Sequence, residues 1–562
     1  MKLFFRNINV VDIGPEIPTN FPGEDRSDTA TYRVDITNIY YQLVIPALWI
    51  TPRDVVVAVG STNAIRFTVT GTNLTNGVTW VIEPDLSGSG GATMQSNNWY
   101  SRDVYPGYVA TNYKVRATSV DNSNFYDEVD LKVLNVDVEQ VEANVSWTTT
   151  NMSLNLTADS FLGGGTADWT SEPSGISGSG TNVTFNPSGL TPTTYIVRAQ
   201  SSLLTNCFDT CTVTVVKVEV EKCSSNFLPQ GGSNNNTTTI RVFVTPSTAK
   251  GKFKFTLYDV SDEKGYCLNA PTNLPTSGED SDSWKDFQFP SQAGFEISGT
   301  DSNIAETVAS DFNEATVTIK SFDYGSFGKI KVEFTNQDYS FTCITIEVGG
   351  TNEYTRLPAD TNDNCIADSW SGDTGPTGSY LATDDNETTP AGANNGDGLT
   401  RYEEYRGFIV NGVHLRTSTL NKDLFVRDEN TIGLGNAGML GFELHSIGND
   451  EWSGPTTRKI NSNGNNNQCA IRLEDLGANG QGLLGLCYLG TPNGGDHARV
   501  YVQEILNLGG NQANVDKTIA HEIGHDVNIT GDHDSPPECM MNQGLLVRTN
   551  YCSECLSQRQ LH

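Results

Sequence analysis

The amino-acid sequence predicts a multidomain chain in which all-β sandwiches precede a C-terminal domain of α+β type. Three observations carry this reading. The 562 residues exceed what one hydrophobic core accommodates, and they are rich in Gly, Asn, Thr and Ser in the manner of strand-and-turn proteins. Period-2 runs such as Asp54-Val55-Val56-Val57-Ala58-Val59 and Ile65-Arg66-Phe67-Thr68-Val69-Thr70 mark strands separated by turn residues. Helical periodicity takes over at 514–527, where Val515, Ile519, Ile523 and Val527 recur every fourth position.

Residues 1–48 are assigned to an N-terminal β segment without a clear pattern. A repeat follows: Trp80-Val81-Ile82-Glu83-Pro84 recurs as Trp169-Thr170-Ser171-Glu172-Pro173, and Tyr113-Lys114-Val115-Arg116-Ala117 as Tyr195-Ile196-Val197-Arg198-Ala199, a period of about 80 to 90 residues. A Trp on one strand with a late Tyr-x-Val-x-Ala strand resembles bacterial immunoglobulin-like domains. The resemblance implies two-sheet sandwiches over 49–136 and 137–219, with both Trp side chains in the core. A third sandwich is expected over 220–348, with Thr239–Val244 and Lys329–Phe334 as its clearest strands.

Between 349 and 408 the alternation lapses, and hard oxygen ligands recur at alternate positions. Asp360, Asn362, Asn364 and Asp368 form one loop, and Asn395, Asp397, Gly398 and Glu404 another. Ca²⁺ takes six to eight oxygens, which such spacing can supply. The two halves resemble thrombospondin type 3-like repeats, implying a calcium-binding segment. Cys365 stands where the first loop of that pattern has Gly, and Ala393 where the second has its first acid, so Asp384 or Asp385 is the candidate to complete the second site.

The most chemically specific stretch is His521-Glu522-Ile523-Gly524-His525. Two histidines four apart share one helix face and can hold one zinc, while Glu522 beside them can act as general base on a zinc-activated water and as acid to a leaving amine. Asn514 is the expected helix cap. At 100° per residue, His521 and His525 lie about 200° from Ile519 and Ile523, so the metal face opposes the packing face. His533 is the candidate third ligand, with Asp532 or Asp534 as alternatives; Glu538 and Glu554, which a glutamate-type site would need, fall in a Pro- and Cys-rich stretch.

The order His521, His525, His533, then Cys539-x-Met541 and Cys552-x-x-Cys555, resembles the metzincin zinc peptidases and, within them, the archaemetzincins. The resemblance spans about 521–555. It implies a zinc endopeptidase domain over 409–562, with Met541 as the Met-turn residue. Asn528 replaces the Gly that lets the metzincin chain leave the helix, and His533 comes two residues late. The family's second, four-cysteine zinc site is matched only by Cys539, Cys552 and Cys555 with Asp534 in place of a Cys, which leaves a second zinc or a disulfide within the trio open. Lys422–Val426 and Ala498–Val502 read as strands of this domain, the resemblance placing such a strand along a substrate cleft. His414, His445 and His497 are assigned ordinary structural roles.

A net charge of −32 and a pI near 4.5 disfavour nucleic acid and anionic membranes as partners and suit divalent cations. No run of about 18 apolar residues is present, and no signal peptide is evident at the start. Eleven cysteines suit an oxidising, extracellular or cell-surface setting, with Cys207, Cys211 and Cys223 grouped and Cys267–Cys343 and Cys469–Cys487 as candidate pairs. The expectation is a secreted or surface zinc endopeptidase acting on protein or peptide substrates. Its alternative is an adhesin or scaffold with a vestigial zincin domain, its β modules binding an extracellular protein or glycan.

Overall fold

Alternating side chains build a series of β-sandwiches here, and a five-stranded sheet with one long helix closes the chain. The computed structural model describes residues 48–561 apart from 72–73, 156–165, 339–340, 373–384, 386, 465–467, 488–496 and 531–537. The expected N-terminal β segment therefore lies almost wholly outside the described residues, as do Asp384, Asp532, His533 and Asp534.

In the first module, one sheet runs Trp49–Thr51, Ile65–Thr70, Ser101–Tyr105, Thr93–Asn98, and the other Val55–Ala58, Tyr126–Leu134, Thr111–Ser119, Val78–Glu83. Period-2 patterning sends Phe67 and Val69 from one sheet and Tyr113, Val115 and Ala117 from the other into a common core. In both repeats an early strand pairs parallel to the last one, Val55–Ala58 with Tyr126–Leu134 and Glu142–Ser146 with Phe208–Val220. The repeated tyrosines also act alike: buried Tyr113 donates to Val109 O at 3.3 Å and Tyr195 to Thr191 O at 2.9 Å, each four residues upstream, the immunoglobulin-type tyrosine corner. Trp169 is core, with Nε1 donating to Gly180 O at 3.1 Å. Trp80 is only half-buried at the core's edge, which corrects the expectation that both tryptophans lie inside.

The 13-residue strand Phe208–Val220 runs unbroken through position 219/220. Its first half pairs with Thr194–Ser201 and its last four residues with Thr237–Thr245, so a shared strand joins the second and third modules where a linker might have stood. The third module packs this sheet against one centred on Gly251–Tyr258 and Gly328–Asn336, over a core rich in phenylalanine (Phe253, Phe255, Phe287, Phe289, Phe334).

After the two loops comes helix α1 (Arg401–Arg406), started by a capping box in which Thr400 and Glu403 exchange hydrogen bonds, with every residue buried. Arg406 is 1 % exposed and is held by Asp323 of the third module (Nη2 to Oδ2, 2.7 Å) and by Asn463 O of the C-terminal unit (3.2 Å). The C-terminal sheet has the order Glu443–Ser446, Asp423–Asp428, Ile471–Asp475, His497–Val500, Gly485–Cys487; the first four are mutually parallel and the last is antiparallel. Ala498 opens no strand that reaches Val502, because helix α2 (Val502–Asn507) begins there. His497–Val500 also has neighbours on both sides, and among the described residues the terminal strands of the sheet are Glu443–Ser446 and Gly485–Cys487. Helix α3 (Gln512–Asp526) packs on both strands, and α4 (Ser553–Gln558) lies near the C-terminus. Among the described residues no helix is long and apolar enough to cross a membrane.

None of the eleven cysteines is disulfide-bonded, contrary to the pairs expected. Cys267 and Cys343 sit in different hydrophobic clusters, and Cys487 donates to Asp526 Oδ1 at 2.9 Å. Asp323→Ala, which would leave the Arg406 charge buried without its carboxylate, is expected to cost about 3–5 kcal/mol in urea unfolding followed by Trp fluorescence; an unchanged midpoint would contradict this junction.

Candidate metal centre

Helix α3 begins one turn earlier than its apolar periodicity suggested. Asn511, not Asn514, is the cap: its side chain accepts from Ala513 N, and its own N–H donates to Asn514 Oδ1 at 2.8 Å. Val515, Ile519, Ile523 and Val527 are all buried against the sheet. On the other face, the rings of His521 and His525 stand edge to face with centroids 4.8 Å apart. Each Nδ1 donates to a backbone carbonyl, His521 to Met540 O (3.1 Å) and His525 to Ile529 O (2.9 Å). A carbonyl only accepts, so the proton of each of these bonds is on Nδ1, the arrangement in which Nε2 can serve as a metal ligand.

Glu522, between them, is 6 % exposed and lies directly over Gly485 of the edge strand: a Cβ at 485 would overlap its carboxylate. No sequence spacing signalled that pairing. Met541 lies beneath the helix against Gly524, and Tyr551 Oη donates to Ala520 O at 2.5 Å. Asn528 adopts φ +68°, the left-handed turn the departing chain requires. His533, Asp532 and Asp534 lie outside the described residues.

Cys539, Cys552 and Cys555 converge, with Sγ of Cys555 3.6 Å from Cys539 and 3.4 Å from Cys552. Thiolates around one zinc stand at about this spacing, since Zn–S is ~2.3 Å. The Cys552 thiol is held below its ordinary value; burial opposes this, but the amide and thiol of Cys555 and the thiol of Cys539 outweigh it. The Cys555 thiol is pushed up, first by burial.

The two oxygen-rich loops differ. In the first, Asp360 accepts from the amides of Asn364 and Cys365, Asn364 from Ile366 and Asp368 from Thr361, so these side chains brace their own turn, with Cys365 at φ +67°. Asn362 stands in the same loop. In the second, Asp385, Glu387 and Asp397 gather within 4.8 Å, while Asn395 is exposed. Glu387 was not singled out by spacing. Glu404, from α1, is 0 % exposed and neither carboxylate oxygen has a hydrogen-bond partner. Burial, then Glu387, Asp397 and Asp423, pushes its carboxyl up to about 10; burial foremost raises Asp397 and Glu387 to about 8. Asp385 is fixed by the amides of Asp397 and Gly398. Such a knot of buried acids fits a hard divalent cation.

The remaining histidines are used internally: His445 bonds Asp423 (2.5 Å), His497 bonds Glu474 (3.0 Å), and His414 bonds Arg406 O (2.8 Å), its pKa lowered to about 3 by burial. A cavity of about 460 Å³ at Gln230, Tyr324, His414 and Arg416 shares no residue with α3.

No protein-family model matches the chain, and no curated protein matches it. Solved structures do. Three N-terminal domains of the bacteriophage RB49 Highly Immunogenic Outer Capsid protein (Hoc) align at 13 % identity over 53 % of this chain and 93 % of theirs, TM-score 0.22. The Escherichia coli adhesin FdeC aligns at 10 % identity over 51 % of this chain and 91 % of its own, TM-score 0.21. The Yersinia pseudotuberculosis adhesin InvE aligns at 13 % over 44 % and 63 %, TM-score 0.15. Likeness this slight carries no argument, and the immunoglobulin-like character of the modules rests on their own strands and tyrosine corners.

The raised carboxyls set a pH dependence. In metal-stripped protein they favour the fold while protonated, so stability is fullest below about pH 4 for these groups and is lost as pH rises through about 8 for Asp397 and Glu387 and about 10 for Glu404. Thermal scans of stripped protein are expected to show Tm falling from pH 5.5 to 8.5, with calcium reversing the fall; a flat profile would contradict the buried, uncompensated cluster.

Proposed function

We propose that the chain is a secreted or surface zinc endopeptidase whose catalytic domain spans about 409–562. The observation that supports it most is a pair of histidines on one helix whose Nδ1 atoms are tied to backbone carbonyls, with Glu522, next to His521 in the chain, set against a glycine of the sheet's edge strand. His521 and His525 would hold zinc through Nε2, with the third ligand, His533 or a neighbouring Asp, supplied by 531–537. Zinc, when bound, supplies Lewis acidity to a scissile carbonyl and makes water acidic near neutral pH. Glu522 takes the proton of the attacking water and returns it to the leaving amine. Gly485–Cys487, a terminal strand of the sheet among the described residues, is the strand proposed to pair with an extended peptide. A second, thiolate-held zinc at Cys539, Cys552 and Cys555 is proposed as structural, and calcium at Asp385, Glu387, Asp397 and Glu404.

The second reading is an adhesin or scaffold, favoured by aromatic side chains exposed on the first module, Trp99 at 67 % and Tyr108 at 79 %. Glu522→Gln separates the two. It is expected to lower hydrolysis of a casein-type substrate by about 10²–10⁴-fold with zinc still bound, and unchanged hydrolysis would sink the peptidase mechanism. Gly485→Ala should lower kcat with zinc retained, because the added methyl displaces Glu522.

A further inference from the structure

The acid pocket and the HExxH helix are joined by a continuous run of hydrogen bonds through the last residues of the chain. On the pocket side, Gly396 N donates to Glu387 O at 2.9 Å and Asp423 N to Asp397 Oδ2 at 2.6 Å, so the carboxylates and the loop carrying them are one unit. That loop grips the C-terminal segment 558–561. Ala393 N donates to Arg559 O at 2.8 Å, Asn394 Nδ2 donates to Leu561 O at 2.7 Å, and the Arg559 guanidinium donates to Ala391 O and Leu440 O. Gly392 lies so close to Arg559 O that no side chain fits there.

The same segment grips the turn that leaves α3. Gln560 N donates to Val527 O at 3.0 Å, Asn528 Nδ2 to Gln560 Oε1 at 3.2 Å, and Thr530 N to Gln558 Oε1 at 3.0 Å. Within that turn Ile529 O is the acceptor that orients His525. The path therefore runs from pocket to loop, loop to C-terminal strap, strap to turn, and turn to a proposed metal ligand. Leu561 of the strap and Val527 and Ile529 of the turn also belong to the apolar core beneath α3, so the loop is a second hold on the strap.

Glu404 bears on what fixes it. Both of its oxygens are buried without a partner, and it shares its surroundings with Glu387, Asp397 and Asp423. A divalent cation binding among them displaces their protons and gives the buried oxygens a partner.

We propose that a calcium ion held by Asp385, Glu387, Asp397 and Glu404 locks the 558–561 strap, and through it the 527–530 turn whose Ile529 carbonyl sets His525. This rests on the calcium reading of the second loop and on the metal role of His525 given above. The cation is thus a positioning element for the zinc site, acting through backbone order at a distance from it.

Hydrogen exchange on the full-length, zinc-loaded protein tests it, with calcium chloride as the only addition. At ten times the calcium Kd measured by calorimetry, amides of 527–530 and Gln560 are expected to exchange about tenfold more slowly, since every opening that releases the strap must also release the ion. Glu404→Gln, which keeps the shape of the buried carboxyl and should fold, is expected to abolish both calcium binding and the slowing. The double variant Gln558→Ala/Gln560→Ala, which removes the side-chain links and leaves the bond from Gln560 N to Val527 O, is expected to keep calcium binding and lose the slowing at Thr530. Absence of calcium binding, binding without slowing, slowing retained in Glu404→Gln, or slowing retained at Thr530 in the double variant would each overturn the proposal. None of these readouts depends on peptide hydrolysis, so a failed peptidase assay leaves the result intact and is scored separately through Glu522→Gln.

Discussion

Everything C-terminal to the second module is organised around one buried cation, the guanidinium of Arg406. It cannot be solvated where it lies, so its position is dictated by the groups that satisfy it: Asp323 from the third sandwich and the Asn463 carbonyl from the C-terminal unit. Asp323 is itself 0 % exposed, and its carboxylate also accepts from Gly325 N. Neighbouring Asp286 is fully buried and raised well above the usual carboxylate range, first by burial and then by Asp323. A short helix of six buried residues can hold three structural units together only because its charge is neutralised from two sides.

That junction fixes where the oxygen-rich loop meets the C-terminal sheet. Glu404 lies two residues before Arg406 on the same helix, so the anchoring that buries the guanidinium also carries a carboxylate into the pocket of Asp385, Glu387 and Asp397. Asp397 then takes the amide of Asp423, the first residue of a central sheet strand. The C-terminal unit is in this way seated by its upstream neighbours, and α3 is seated on that sheet by Val515, Ile519, Ile523 and Val527. One helix serves two purposes: its apolar stripe secures the fold, and the opposite stripe is left for chemistry.

Local pattern made part of this legible. The helix face, the left-handed turn at Asn528, the paired tyrosines and the alternating strands all follow from residue spacing and backbone preference, which act over a few residues. What escaped was contact between distant positions. Nothing around Gly485 announces Glu522, and nothing around Arg406 announces Asp323. In the first oxygen-rich loop, Asp360, Asn364 and Asp368 also accept from amides of their own loop, as side chains of cation loops do. Glu387 was missed because its role comes from the pocket it is folded into. The strand Phe208–Val220 likewise crosses the boundary drawn at 219/220 where the repeat ends, since pairing on both halves is a long-range property.

The metal site proposed at His521 and His525 of α3 is tested most directly by elemental analysis of zinc in the purified full-length protein beside His525→Ala. His525→Ala is expected to lose one zinc equivalent relative to wild type while any thiolate-bound zinc at Cys539, Cys552 and Cys555 stays. Equal zinc content in the two proteins, or none in wild type supplied with zinc, would contradict it.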